Sequence, residues 1–305
     1  MNYLLIGGNG FIGSHFIDLF LTHNHNVRVF DIQHEKFRAP NNLVDYRIFP
    51  FSDISNLDNA LSGIDVVLHL ASASVPSNSN DKAIMEIENI LKPSLILFEL
   101  LLKHNINKIV YFSSGGAVYG NVESNNLITE DTQFNPVSSY GIIKATTENY
   151  LKLFQSNFGL HSLIIRPSNP YGPRQNNTVS QGVISTFLRK IVKNEELTVF
   201  GNLDIMKDYI YINDLVNIVY GLIENGQTGA FNVGSGIGTT LNQLLEVIDT
   251  LDSKSLNINI QNSLSSDVNS FVLDISKSVR CTNYTPIVDV KSGIFLTWEW
   301  ISNNM

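Results

Sequence analysis

Tyr140 and Lys144 stand four residues apart in Ser138-Ser-Tyr-Gly-Ile-Ile-Lys144, a spacing that on a helix points phenol and ammonium into one cleft. Tyr140 is the candidate proton acceptor. A free tyrosine titrates at about 10 and is a poor base at neutral pH, so it needs positive charge nearby: Lys144, joined by an oxidised nicotinamide, would lower its pKa. Upstream, Gly7-Gly-Asn-Gly10-Phe-Ile-Gly13 has the spacing Gly-x-x-Gly-x-x-Gly. Glycines permit a tight turn and close backbone approach, so Gly7, Gly10, Phe11, Ile12 and Gly13 are candidates to meet a pyrophosphate at a helix start. Asp31 follows about twenty residues on, where a carboxylate accepts bonds from a ribose diol and repels a 2′-phosphate, favouring NAD over NADP. Tyr-x-x-x-Lys alone is common by chance; the glycine loop gives it weight.

These residues need elements to position them. Strands are expected at Tyr3–Ile6, Val27–Phe30, Tyr46–Phe49, Val66–Leu70, Lys108–Phe112 and Ser162–Ile165, with helices at Phe11–Thr22, Asn56–Leu61, Ala83–His104 and Ser138–Asn157. The alternation calls for an α/β fold, a Rossmann-type doubly wound parallel sheet with ligands beyond the carboxyl ends of its strands. Residues 1–166 form the expected NAD-binding domain. Residues 167–305 are expected mainly as a smaller substrate-binding lobe, with some segments returning to the sheet. There, Phe231–Gly238 reads as a strand and glycine turn, and Thr239 or Thr240 as N-cap of a helix Leu241–Leu251. Gln261–Asp267 reads as a polar loop, and Gly293–Ile301 as a closing helix anchored by Trp298 and Trp300.

With 305 residues, 43% hydrophobic and 16% charged, the chain can bury a large core. A net charge of −8 without a basic stripe argues against nucleic acid as partner. The most apolar run, Leu91–Leu102, is broken by Lys92, Pro93 and Glu99 and is too short to span a bilayer, so no membrane partner is expected. No signal peptide is visible, and the single Cys281 fits a reducing, cytoplasmic setting without a cysteine-based metal centre.

The segments Gly7–Gly13, Asp31, Asp53-Ile54, His69-Leu-Ala-Ser72, Asn89, Phe112-Ser-Ser-Gly-Gly-Ala-Val-Tyr-Gly120, Tyr140-x-x-x-Lys144, Arg166-Pro-Ser-Asn-Pro-Tyr-Gly172 and Asp208-Tyr-Ile-Tyr-Ile-Asn-Asp214 together give a resemblance over nearly the whole chain. The sequence resembles the extended short-chain dehydrogenase/reductases, specifically the NAD-dependent nucleotide-sugar epimerases and dehydratases. The resemblance implies that Asp53 and Ile54 meet the adenine and that Leu70, Ala71 and Ser72 line the pyrophosphate and ribose. It implies Asn89 holding its helix near the nicotinamide, Pro167 and Ser168 beside that ring, and Asn169 at the substrate diphosphate. Tyr140 and Lys144 would be catalytic, in a homodimer acting on a nucleotide sugar. Tyr211 and Asp214 read equally well as packing and capping residues.

Four positions qualify that reading. Where the family carries a Ser or Thr that bonds the reacting oxygen, this chain has Gly115, leaving Ser114 or a water as the substitute. Lys207 replaces a usual Arg, supplying charge without a bidentate fork, and Leu264 replaces another; Arg174 or Arg189 could restore the charge. Phe271 falls where bulk would disfavour a 2-acetamido sugar, or is simply core. The first expectation is a 4-epimerase of the UDP-glucose/UDP-galactose type. The alternatives are an NAD(P)H-dependent reductase of a dTDP- or GDP-4-keto-6-deoxy-hexose and a non-catalytic NAD-binding regulator. Gly115-Gly116-Ala117 lacks the acid a 4,6-dehydratase needs.

Overall fold

The computed structural model describes residues 1–72, 79–122, 127–175, 182–251, 257–261 and 271–304. Seven parallel strands form the central sheet: β1 (Asn2–Ile6), β2 (Asn26–Asp31), β3 (Val44–Ile48), β4 (Val66–His69), β5 (Lys108–Phe112), β6 (His161–Pro167) and, from the far end of the chain, β10 (Gly229–Val233). Their order is β10-β6-β5-β4-β1-β2-β3. The switch in strand direction of travel lies between β1 and β4, where open α/β sheets leave a crevice for ligands.

Alternating side chains of the strands build a core on each face. On one, Tyr3, Leu5, Val110 and Ile165 pack with Phe16 and Phe20 of α1 (Phe11–Thr22) and with Leu215 and Val219 of α8 (Ile212–Glu224). On the other, Leu4, Ile6, Tyr111 and Ile164 meet Leu57 of α2 (Ile54–Ala60), Leu97 and Phe98 of α4 (Lys92–Lys103) and Leu151 of α6 (Ser139–Phe158). Strands buried on both faces read as unbroken apolar runs, which is why β5 and α1 have the bounds their sequence patterns set.

The expected helix Ala83–His104 is interrupted. A 3-10 turn (Asn80–Lys82), α3 (Ala83–Glu86) and a π turn (Ile87–Leu91) precede α4. Pro93 explains the break: it has no N–H for the carbonyl four residues back, and its ring crowds that group, so the ladder slips by a residue.

Beyond Pro167, β7 (Asn169–Tyr171), β9 (Met206–Tyr211) and β11 (Gly238–Thr240) form a three-stranded sheet, and β8 (Leu197–Phe200) pairs with β12 (Ile258–Gln261). The remaining helices are α5 (Gly115–Val118), α7 (Val183–Val192), α9 (Leu241–Asp249), α10 (Ser276–Thr282) and α11 (Val290–Asn304). Thr240 caps α9 through reciprocal bonds with Gln243. Trp298 and Trp300 of α11 pack half-buried on the core. Of the loop Gln261–Asp267, only Gln261, the end of β12, is described. Among the described residues no helix is long and apolar enough to cross a membrane.

Candidate active site

The glycine loop between β1 and α1 is shaped by contacts that no side chain would allow. Gly7 adopts φ +83°, and a β-carbon there would stand 2.9 Å from the Ala71 nitrogen, so the loop and the end of β4 lie backbone to backbone. A β-carbon on Gly13 would collide with the Gly8 carbonyl. After Gly10, no side chain caps α1, which leaves the first-turn N–H groups of Phe11, Ile12 and Gly13 directed at whatever anion enters. Half-buried Leu70 and Ala71 flank this mouth, and Ser72 is exposed beside them.

Asp31 closes β2 next to the loop. Its Oδ2 accepts from the Asn9 N–H at 2.9 Å and its Oδ1 from the Gln33 N–H at 3.0 Å. Burial raises its pKa, outweighing those bonds. Asp53 is already employed: it caps α2, accepting from the Asn56 backbone at 3.1 Å and its amide at 2.9 Å, bonds that hold its pKa below the usual carboxylate value. Ile54 begins that helix and packs partly on the core. Asn89 is exposed on the π turn, while Glu86, three residues earlier, faces inward and is 2% exposed.

The first turn of α6 is fastened from outside. The Ser139 N–H donates to Asn80 Oδ1 at 2.9 Å, the Tyr140 N–H to Ser79 Oγ at 3.2 Å, and the Gly141 N–H to the cap residue Ser138 at 3.2 Å. One turn in, Lys144 is buried and donates to the Phe112 carbonyl at 2.7 Å. Its ammonium lies 5.6 Å from the Tyr140 ring centre and 5.0 Å from that of Tyr111. Ser114, the extended residue ahead of α5, makes no capping bond, and its hydroxyl lies on the side of the Tyr140 phenol, where it favours the ionised form.

Charge in this corner differs from the simplest expectation. Burial pushes Tyr140 up to about 12, opposed by the Ser114 hydroxyl and reinforced by the Glu86 charge. Burial also lowers Lys144 to about 8, against the pull of Glu148 and Glu86. The protein's own groups therefore keep the phenol protonated at neutral pH, and Lys144 alone does not make it a base.

Gly115 is tightly enclosed: a β-carbon would meet Leu273 Cδ1 at 2.9 Å and the carbonyl of buried Pro167 at 3.0 Å. One on Gly116 would stand 3.1 Å from the ring of Phe271. Phe271 is 6% exposed in a cluster with Val118, Tyr119 and Leu273, so it fills the space beside the glycine pair as core. Ser168 is buried, and its hydroxyl has no partner.

Behind these residues runs a polar network that the sequence patterns did not disclose. Ser113 donates to Glu148, which Arg166 grips from β6. Arg166 reaches Tyr119 at 2.7 Å and the Glu130 carbonyl at 2.9 Å, and Tyr119 donates to Asn232 of β10 at 2.8 Å. The available signal was a lone arginine inside an apolar strand.

On the other side of the cleft, Asn169 donates to the Asp208 carbonyl at 2.7 Å. Lys207 is half-buried on β9, with no hydrogen-bond or ion-pair partner for its ammonium among the described residues. Arg174 pairs with Asp18 at 2.6 Å and Arg189 donates to the Gln175 carbonyl at 3.0 Å, so both are engaged within the chain. Tyr211 precedes α8 without capping it through its side chain, and buried Asp214 accepts from Tyr284 at 2.7 Å and the Val288 N–H at 3.0 Å. Leu264 lies outside the described residues.

The model of the NAD dependent epimerase/dehydratase family matches residues 3–234. The chain belongs to this family. As a family member it is an NAD-dependent nucleotide-sugar epimerase or a related reductase, with NAD as cofactor. It is 32% identical to a putative UDP-glucose 4-epimerase of Methanocaldococcus jannaschii, over 99% of this chain and 98% of that one. It is equally 32% identical to a dTDP-4-dehydro-6-deoxyglucose reductase of Escherichia coli, over 95% and 94%. A solved UDP-glucose 4-epimerase of Thermotoga maritima with UDP-glucose superposes with a TM-score of 0.93 at 30% identity, covering 100% of this chain and 99% of that one. The site of this family member suits its cofactor: a cradle that β-carbons would fill, an uncapped helix start and a carboxylate at the end of β2.

Proposed function

We propose that the protein interconverts UDP-glucose and UDP-galactose, or a close UDP-hexose pair, by epimerisation at carbon 4 through a 4-keto intermediate. The observation that carries this reading is the buried Lys144, held by the Phe112 carbonyl with its ammonium 5.6 Å from the Tyr140 ring centre, with Ser114 on the side of that phenol. It supplies a hydroxyl, a titrating phenol and a cation for one sugar oxygen.

The N–H groups of Phe11, Ile12 and Gly13 would hold the pyrophosphate of NAD, Asp31 the ribose diol, and Leu70, Ala71, Ser72 and Pro167 would flank it. When bound, NAD supplies a hydride acceptor that becomes the donor later in the same cycle, together with positive charge in its oxidised form. Tyr140 takes the proton of the 4-hydroxyl once positive charge offsets the burial that holds the phenol up. Ser114 shares the proton and bonds the oxygen as charge develops on it. Lys144 stabilises the phenolate. After the keto sugar turns its other face, Tyr140 returns the proton. Lys207 and Asn169 would hold the diphosphate, with Lys207 acting as a point charge that leaves the sugar freer to turn than an arginine fork would.

The reductase alternative draws on one observation: a phenol held at about 12 is ready to act as an acid toward a ketone without first losing its proton. Incubating the purified protein with UDP-galactose, without added cofactor, and separately with dTDP-4-keto-6-deoxyglucose plus NADH or NADPH decides between them. Product UDP-glucose supports the epimerase; cofactor oxidation with only the keto sugar supports the reductase.

We further infer a 1–166 cofactor domain with a mainly substrate-binding remainder, a cytoplasmic location and a homodimer. Exposed Ile84, Ile87, Ile142 and Leu153, on α3, the π turn and α6, form the apolar face such a dimer would cover. Sedimentation of the wild type and an Ile142→Glu/Leu153→Glu variant tests it: loss of a dimer supports the face, and a monomeric wild type refutes it.

A further inference from the structure

Glu86 is buried beside the reacting pair, and the mechanism above does not use it. It ends α3, immediately before the π turn, a departure from α geometry that often marks a functional position. Its Oε2 accepts from the hydroxyl of Ser139, the residue next to Tyr140, at 3.1 Å. The backbone of those same two residues is fastened by Asn80 and Ser79 of the preceding turn. One short segment therefore both anchors the start of α6 and delivers a carboxylate to it.

We propose that Glu86, fastened to the start of α6 through Ser139, is a positioning residue for the Tyr140–Lys144 pair: a negative charge that acts on both, helping to keep Lys144 an ammonium and delaying ionisation of Tyr140. This rests on the assignment of those two residues made under the proposed function. Glu148, one turn past Lys144, is the other carboxylate that supports the ammonium and the stronger of the two toward it, but Arg166 and Ser113 also bond it, and it is not fastened to the first turn of α6 as Glu86 is. Glu86 has only a neutral hydroxyl as hydrogen-bond partner among the described residues. The other groups facing the pair are Tyr111 on β5, His69 on β4 and Lys82 on the 3-10 turn. Buried His69 stays neutral, its pKa lowered by burial and then by Lys144, and so adds no second positive charge beside Lys144.

Removing the negative charge lets Tyr140 ionise at lower pH and lets Lys144 lose its proton at lower pH, so both limbs of the rate profile move the same way. The test has two readouts. In protein labelled with 13C-lysine, the resonance absent from Lys144→Arg reports the Lys144 titration directly. Glu86→Gln is expected to lower its midpoint by about one unit, the scale of a single nearby charge, and to shift the pH–kcat profile downward as a whole. Glu86→Asp, which keeps the charge, is expected to stay close to wild type. Should Glu86→Gln fold poorly, Glu86→Ala, which removes the charge without leaving a buried amide, is expected to shift the midpoint in the same direction. An unmoved Lys144 midpoint in whichever of Glu86→Gln and Glu86→Ala folds overturns the proposal. Absence of turnover by the wild type on any nucleotide sugar overturns the proposed function instead, and the lysine titration still judges Glu86.

Discussion

Arg166 grips Glu148 in the core, Nη2 to Oε2 at 2.7 Å and Nε to both carboxylate oxygens at 3.2 Å, with the two side chains 2% and 0% exposed. This pair joins β6 to α6, and through Ser113 it reaches the residue before Ser114. Removing either partner strands a charge in the core, so Arg166→Met or Glu148→Gln is expected to cost about 3–5 kcal/mol. Arg166→Met/Glu148→Leu should recover much of that. Denaturant unfolding of the four proteins checks it; singles within about 1 kcal/mol of wild type would show that the pair is not a sealed unit.

The pair also marks the limit of what the sequence disclosed. The bounds of α1 and β5 and the cap at Thr240 follow from local rules that act within a few residues. Glu148 and Arg166 are separated by 18 residues and Tyr119 and Asn232 by 113, and no spacing rule links them. The π turn was hidden for a different reason: apolar periodicity runs through Ile87–Leu91, and only Pro93 hints that the hydrogen-bond ladder slips there. Across that slip Glu86 is buried and Asn89 exposed. The Tyr140–Lys144 pairing was legible because it needs only one helix, whereas the net charge of the site depends on α3 and on burial.

Gly115 tests how the hydroxyl at the site is supplied. Its neighbours Leu273 and Pro167 leave no room for a β-carbon. Gly115→Ser should therefore lower both stability and turnover, and Leu273→Ala should restore part of each. Ser114→Ala should lower kcat about tenfold or more with little change in KM, since its bond strengthens as charge develops. Equal rates for Ser114→Ala and wild type would remove Ser114 from the mechanism.

The reading proposed above gives Asp31 the choice between NAD and NADP. With its carboxylate already fixed by the Asn9 and Gln33 N–H groups, it meets a ribose in one orientation and repels a 2′-phosphate. Asp31→Ser should narrow the preference for NADH over NADPH in binding titrations. Wild-type protein that binds NADPH as tightly as NADH would contradict the assignment.

Acid should destabilise the fold through two histidines. Burial lowers His69 to about 3, with Lys144 adding to the effect, and lowers His15 to about 4 despite its bond to the Pro173 carbonyl. Unfolded, both titrate at about 6.5, so between there and pH 4 the unfolded chain binds protons that the native one does not, and stability falls as pH falls. Each contributes up to about 1.4 kcal/mol per pH unit. His15→Gln and His69→Gln should each flatten the slope of Tm against pH over that window, whatever they do to Tm itself. An unchanged slope would mean that these rings gain protons in the native state.

The most direct test of the central claim is the conversion of UDP-galactose by the purified protein with no added cofactor, followed by chromatographic separation of the two UDP-hexoses. The account predicts approach to an equilibrium mixture with wild type and at least a hundredfold slower approach with Tyr140→Phe, about the scale of losing a positioned acid–base group. No UDP-glucose from wild type, together with NADH or NADPH oxidation on dTDP-4-keto-6-deoxyglucose, would contradict it.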